Sequence, residues 1–280
     1  MAGYMYLGSQ RVCPAIVSGS GSENIPQTVE NGNYKGIAIT EFKLPDDAVN
    51  VAATESSLLR GAFAFDGSYD YGPTWLKSIN LNNLKTINAD YCFQEMCWYS
   101  SVLTDFSAPN LETIDAAGAF YRVCFANTAL ETFSFPKLKT IKKDSVLKSA
   151  LYYCEKLTSL TFESLEFLGE PTDYGIMDTL CVACTSLQTV SFPALKYVYS
   201  DCALQFAFRA CTGLKDIYFN SIQTNSFGEV TSQFSGFLWQ SSNVTLHFPS
   251  NVSAAVSALE DYPDFGGTNI TILYDLPATE

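Results

Sequence analysis

Six leucines, Leu76, Leu103, Leu130, Leu157, Leu187 and Leu214, each open a near-copy of one phrase, at intervals of 27, 27, 27, 30 and 27 residues. The phrases read LKSINLNNLKTI, LTDFSAPNLETI, LETFSFPKLKTI, LTSLTFESLEFL, LQTVSFPALKYV and LKDIYFNSIQTN. A unit this short cannot bury its own apolar face, so self-similarity at a fixed period implies stacked coils that share one continuous core.

Counted from the leading leucine as position 0, apolar residues recur at 3 and 5, as in Ile79 and Leu81, Phe133 and Phe135, or Val190 and Phe192. That alternation is the signature of a strand with one face inward. A second apolar pair follows at 8 and 11, such as Leu138 and Ile141, and reads as the next inward-facing stretch. The back half places Phe93, Met96, Cys97 and Ser100, then Phe120, Val123, Cys124 and Asn127, at offsets 0, 3, 4 and 7. Those offsets share one face of an α-helix, so the spacing predicts a strand, a turn and a short helix in every coil.

The pattern L-x-x-I-x-F-P-x-L-x-x-I, with an apolar stretch ending in Cys three residues before the next Leu, resembles the BspA-type leucine-rich repeats of bacterial surface proteins over residues 39–273. The segment LHFPSNVSAAVSALEDYPDFGGTNITIL resembles that family's closing element, a last strand, a Pro-led helix and a final strand. The resemblance implies an α/β solenoid, a right-handed leucine-rich repeat coil with parallel strands on one face and short helices on the other. It also implies adhesion to a cell-surface protein or glycan. This chain departs from the pattern in its longer period, and it lacks the Asn ladder of eukaryotic repeats.

The expected organisation is an N-terminal strand-rich cap or anchor with a Gly/Ser joint at 1–38, a solenoid at 39–243 and a C-terminal cap at 244–280. Within the first segment, YLGSQRV around Leu7 and Gly8 resembles the N-termini of phage tail and other virion proteins. Residues 1–22 read either as an anchor to virion proteins or to a second copy of the chain, or as a hairpin capping the first coil. The N-terminus has no basic segment followed by an apolar one, and no lipoprotein box precedes Cys13, so nothing in it directs secretion. No apolar run is long enough to span a membrane.

A formal net charge of −13 argues against a nucleic-acid partner, and the 16 Lys and Arg are scattered apart from Lys137, Lys139, Lys142 and Lys143. The nine cysteines fall mostly at core-facing offsets, so they read as buried, reduced and metal-free. The pair Cys181 and Cys184 has no partner pair at zinc-site spacing. A Ser-His-Asp or Cys-His arrangement needs a positioned imidazole, and the chain's one histidine, His247, lies in TLHFP at an outward strand position; no phosphate-binding glycine loop or nucleophile elbow is present. The expectation is no enzyme, no cofactor and no metal.

Binding is expected on the outward strand positions 2 and 4, ladders of small polar residues that end in Tyr218 and His247. An inserted loop, FDGSYDYGPT at 65–74, adds Tyr69 and Tyr71, whose aromatic area and hydroxyls suit a contact loop. These features point to a non-enzymatic recognition protein for a cell-surface protein or glycan. YLGSQRV and the lack of a secretion signal favour display on a phage particle, as a tail or head appendage. The alternatives are a secreted bacterial adhesin and a purely structural virion decoration or fibre subunit.

Overall fold

The computed structural model describes residues 49–52, 59–60, 76–228 and 231–279 with their side chains, and the backbone strands within 2–43. The short strand of each phrase stacks in parallel on the next. The front sheet comprises β5 (Glu41–Lys43), β7 (Ser78–Asn80), β9 (Asp105–Ser107) and β11 (Thr132–Ser134). It resumes as β13 (Ser159–Thr161), β15 (Thr189–Ser191), β17 (Asp216–Tyr218), β18 (Thr245–Pro249) and β19 (Thr271–Leu276). Ladder bonds join neighbours everywhere except between β11 and β13, where the sheet is interrupted, and β18 and β19 shift register just after His247. The second apolar pair of each phrase builds a second parallel sheet, continuous through β6 (Asn50–Val51), β8 (Thr86–Ile87), β10 (Thr113–Asp115), β12 (Thr140–Lys142), β14 (Phe167–Leu168) and β16 (Tyr197–Val198).

The expected helices of the third wall are not formed. Among the described residues the one α-helix is α1 (Ser253–Ser257), in the closing element. The third wall is a ribbon of tight turns. Alternate N–H groups bond within the coil, as from Gln94, Met96 and Trp98 to the carbonyls of Tyr91, Phe93 and Glu95. The others bond to the next coil, as from Phe93, Glu95 and Cys97 to Ala119, Tyr121 and Val123. Left-handed residues recur every fourth position, at Tyr91, Glu95 and Tyr99 and again at Gly118, Arg122 and Ala126.

Spacing explains this outcome. Strands in two sheets hold successive coils about 4.8 Å apart, whereas packed helices need about 8–10 Å. A coil fastened at strand spacing on two walls leaves no room for a helix on the third. The ribbon segments are also rich in Tyr, Phe, Trp, Cys and Ser, which are weak helix formers, and are too short to be helical unaided. A four-residue repeat still sends offsets 0, 3, 4 and 7 inward, so Phe93, Met96 and Cys97 are fully buried as expected.

All three walls contribute to one core. Phenylalanines stack from coil to coil, Phe162 on Phe192 at 5.5 Å, Phe192 on Phe219 at 5.3 Å and Phe219 on Phe248 at 5.1 Å. Each such side chain contributes about 1.5–3 kcal/mol by leaving water. The eight described cysteines are free and buried, and burial pushes their thiols up. Three of them donate to carbonyls of earlier coils: Cys154 to Cys124 at 3.3 Å, Cys184 to Leu151 at 2.9 Å and Cys211 to Cys181 at 2.8 Å.

Asn127 occupies the same column one coil earlier. It is fully buried, neither its Oδ1 nor its Nδ2 makes a hydrogen bond of good geometry, and its polar neighbour is the Cys124 thiol, a weak partner. Each unsatisfied buried group costs about 1–3 kcal/mol. Asn127→Cys, which copies the next coil, is therefore expected to raise stability by about 1–3 kcal/mol. Urea unfolding measures this, and a lower midpoint in the variant contradicts it.

The N-terminal strands β1 (Ala2–Leu7) and β2 (Gln10–Ile16) form an antiparallel hairpin. β1 pairs antiparallel with β5 through Tyr4 with Lys43, Met5 with Phe42 and Tyr6 with Glu41, so the hairpin continues the front sheet. The closing element forms strand, helix and strand, with β18 and β19 continuing the parallel ladder. The insertion at 169–175 folds onto its own carboxylate. Asp173 accepts the backbone N–H groups of Lys143 and Glu170 at 3.0 and 2.8 Å. Gly169 starts it at φ +80, where a Cβ would lie 2.4 Å from that of Ser200. The joint at 18–22 and the inserted loop at 65–74 lie outside the described residues.

Candidate functional site

Strand alternation turns every second residue of the front sheet outward, and parallel in-register pairing arranges these residues in two columns. One runs through Ser78, Asp105 and Thr132, then Ser159, Thr189, Asp216, Thr245 and Thr271. The other runs through Asn80, Ser107 and Ser134, then Thr161, Ser191, Tyr218, His247 and Leu273. Most of these side chains are short and hydroxylated, and all are half-buried or exposed. At the C-terminal end the second column changes character.

There Tyr218 and His247 lie on adjacent strands with ring centroids 4.3 Å apart and planes within 10°. His247 is bracketed by two carboxylates. Its Nδ1 lies 3.0 and 3.1 Å from the two oxygens of Asp275, and its Nε2 lies 3.3 Å from Asp216 Oδ1. The imidazole side chain keeps only 12% of its exposure, so these partners and the Tyr218 ring replace most of its water. An imidazolium donates to both carboxylates, whereas a neutral ring donates to one of them. Burial, with Asp216 and Asp275 adding to it, pushes the Tyr218 phenol up, which keeps it a hydrogen-bond donor.

The structure thus brings Tyr218 and His247 together, as the ladder positions implied. Tyr69 and Tyr71 lie outside the described residues. Asp275 was missed, although ITILYDL alternates like every other outward strand and places Asp275 on the His247 face. A second surface also escaped the sequence reading, on the ribbon wall. Five residues before each next leading leucine stand the half-buried Trp98, Phe125, Tyr152 and Arg209, with the buried Val182 in the same register. Phe125 stacks on Tyr152 at 4.8 Å, Trp98 meets Phe125 at 6.3 Å, and the Arg122 guanidinium lies 5.6 Å from the Phe125 ring. The register is present in the repeats, but helices packed about 8–10 Å apart would hold these outward side chains too far apart to stack, whereas the ribbon brings them to strand spacing.

Base catalysis needs an imidazole nitrogen aimed at a nucleophile. Here both nitrogens face carboxylates. No three His, Cys, Asp or Glu side chains form a cation-binding group among the described residues. Among them, no helix is long and apolar enough to cross a membrane.

No protein-family model matches the chain, and no curated protein does. Among solved structures it is similar to a leucine-rich repeat protein from Bacteroides ovatus ATCC 8483, at 18% identity and a TM-score of 0.32, with 85% of this chain and 67% of that one covered. It is also similar to the pneumococcal vaccine antigen PcpA, at 14% identity and a TM-score of 0.37, with 85% of this chain and 57% of that one covered. The parallel solenoid itself rests on the strand ladders and the repeat register described above.

Proposed function

We propose that this chain is a non-enzymatic recognition protein that binds a protein or glycan of a cell surface through the outward face of its front sheet. The observation that carries this reading is the end of the outward column. There a run of small hydroxyl side chains gives way to the stacked Tyr218 and His247, fixed by Asp216 and Asp275. Tyr combines a large contact area with a hydrogen-bonding tip, which is why it recurs at binding surfaces. The engaged imidazole and the buried thiols support a role without catalysis.

The protein is displayed on a virion or on a cell surface. The YLGSQRV phrase supports the virion, and the repeat pattern supports the surface of a bacterium. Binding of the fluorescently labelled chain to intact bacteria, read by flow cytometry, tests the recognition reading. Ser134→Lys with Thr189→Lys places bulk and charge on the face without touching the core, and it is expected to weaken binding at least about tenfold, or about 1.4 kcal/mol. Unchanged binding by that folded variant moves recognition to another surface. A purely structural subunit, which stacked hydroxyls also suit, binds no cell at all.

A further inference from the structure

The orientation of the Tyr218 ring narrows the ligand class, on the basis of the recognition reading above. Tyr218 and His247 are register partners on strands about 4.8 Å apart, and their rings are nearly parallel at 4.3 Å. Their normals therefore run along the stack of coils. One face of Tyr218 is covered by His247, and the other is turned toward β15. The register partner on that side is Ser191, whose side chain ends at one hydroxyl. Among the described residues no ring other than His247 packs on Tyr218. The column thus contains a step: a flat aromatic wall beside a rung whose own side chain is too short to reach it.

The surroundings of that rung are polar and rich in hydroxyls. Thr189 shares the strand with Ser191, Thr161 lies across the ladder on the far side, and Asp216, on the Tyr218 strand, lies diagonal to Ser191. Asp216 gives its Oδ1 to His247, and a carboxylate has a second oxygen able to accept from a ligand hydroxyl. We propose that the open rung above Ser191 is a subsite for one pyranose ring of a cell-surface glycan. The sugar lays its C–H face on Tyr218, as His247 does from the other side, and turns its edge hydroxyls to Ser191, Thr189, Thr161 and Asp216.

Donor and acceptor chemistry favours a sugar over a basic peptide side chain. A guanidinium or ammonium only donates, and it would use one carboxylate already shared with His247. Sugar hydroxyls both donate and accept, and so do the three side-chain hydroxyls that surround the rung. The ligand is accordingly a neutral, polyhydroxylated ring.

Saturation-transfer NMR on the full chain tests this, using the methyl glycosides of glucose, galactose, mannose and N-acetylglucosamine as probes, and N-acetylargininamide as the basic alternative. At least one glycoside is expected to receive saturation. Tyr218→Ala is expected to weaken it at least about tenfold, while Tyr218→Phe, which keeps the wall, stays within about threefold. Ser191→Tyr fills the rung by extending the ring stack, and it is expected to abolish the glycoside signal with no loss of melting temperature.

Saturation of none of the four glycosides overturns the subsite. So does glycoside binding unaffected by Ser191→Tyr, and so does binding of the arginine compound in their place. Cell binding separates this from failure of the broader reading. If Ser191→Tyr binds cells normally while Ser134→Lys with Thr189→Lys does not, the face recognises its target and the subsite is wrong. If neither variant changes cell binding, the recognition face itself is misplaced.

Discussion

Phe192→Ala is expected to cost about 3–5 kcal/mol, the usual range for removing a buried aromatic side chain. Phe192 is fully buried and sandwiched between Phe162 and Phe219, with both interplanar angles at 4°. Neither neighbour can move to fill the space without leaving its own stack, so the cavity persists. Coils bonded only to their neighbours transmit the loss to both sides. For a chain of this size about 2–4 °C of melting temperature accompanies each kcal/mol, so a drop of roughly 6–20 °C is expected in a thermal scan. Phe192→Leu, which keeps most of the volume, is expected to lose much less. A loss under about 1 kcal/mol for the alanine variant would mean that the rings do not pack as described.

Removal of residues 1–22 has the second large expected effect. The hairpin of β1 and β2 gives β5 its only neighbour on that side, so truncation bares a sheet edge and the end of the first coil. A melting temperature lower by at least about 4 °C is expected, equivalent to about 1–2 kcal/mol. Light scattering completes the measurement. An unchanged melting temperature with loss of self-association or of particle attachment would identify the hairpin as an anchor and reject the cap.

Most of the core was legible because two independent periods agree on it. Alternation within β9 or β15 and recurrence across coils both send Phe106 and Val190 inward, and both are buried. The ribbon wall was not legible. Phe93, Met96, Cys97 and Ser100 satisfy a helix and a four-residue turn repeat equally well over so short a stretch. The decision came from neighbouring coils, through bonds such as Cys97 N–H to the Val123 carbonyl at 2.9 Å. No window along one coil contains that information.

The candidate site divides in the same way. Tyr218 and His247 stand out in the sequence because they occupy outward ladder positions. Asp275, which fixes the imidazole from β19, required knowing that the closing element continues the sheet and shifts register just after His247. Tyr69 and Tyr71 belong to an insertion with no counterpart in other coils, so no register assigns them a neighbour.

The interruption between β11 and β13 has a mechanical consequence. A tether that pulls the two ends of the stack apart loads the walls in parallel, and at most levels both sheets and the ribbon share the tension. At this level the front sheet contributes no ladder bonds, while the pairing of β12 with β14 and the ribbon bonds hold the coils together. Extension under load therefore begins at the front seam and bends the rod open on the face that carries the hydroxyl columns. The Tyr218 end, three strands beyond the seam, would then swing as a unit with its own ladder intact, like a hinged tip on a stiff rod.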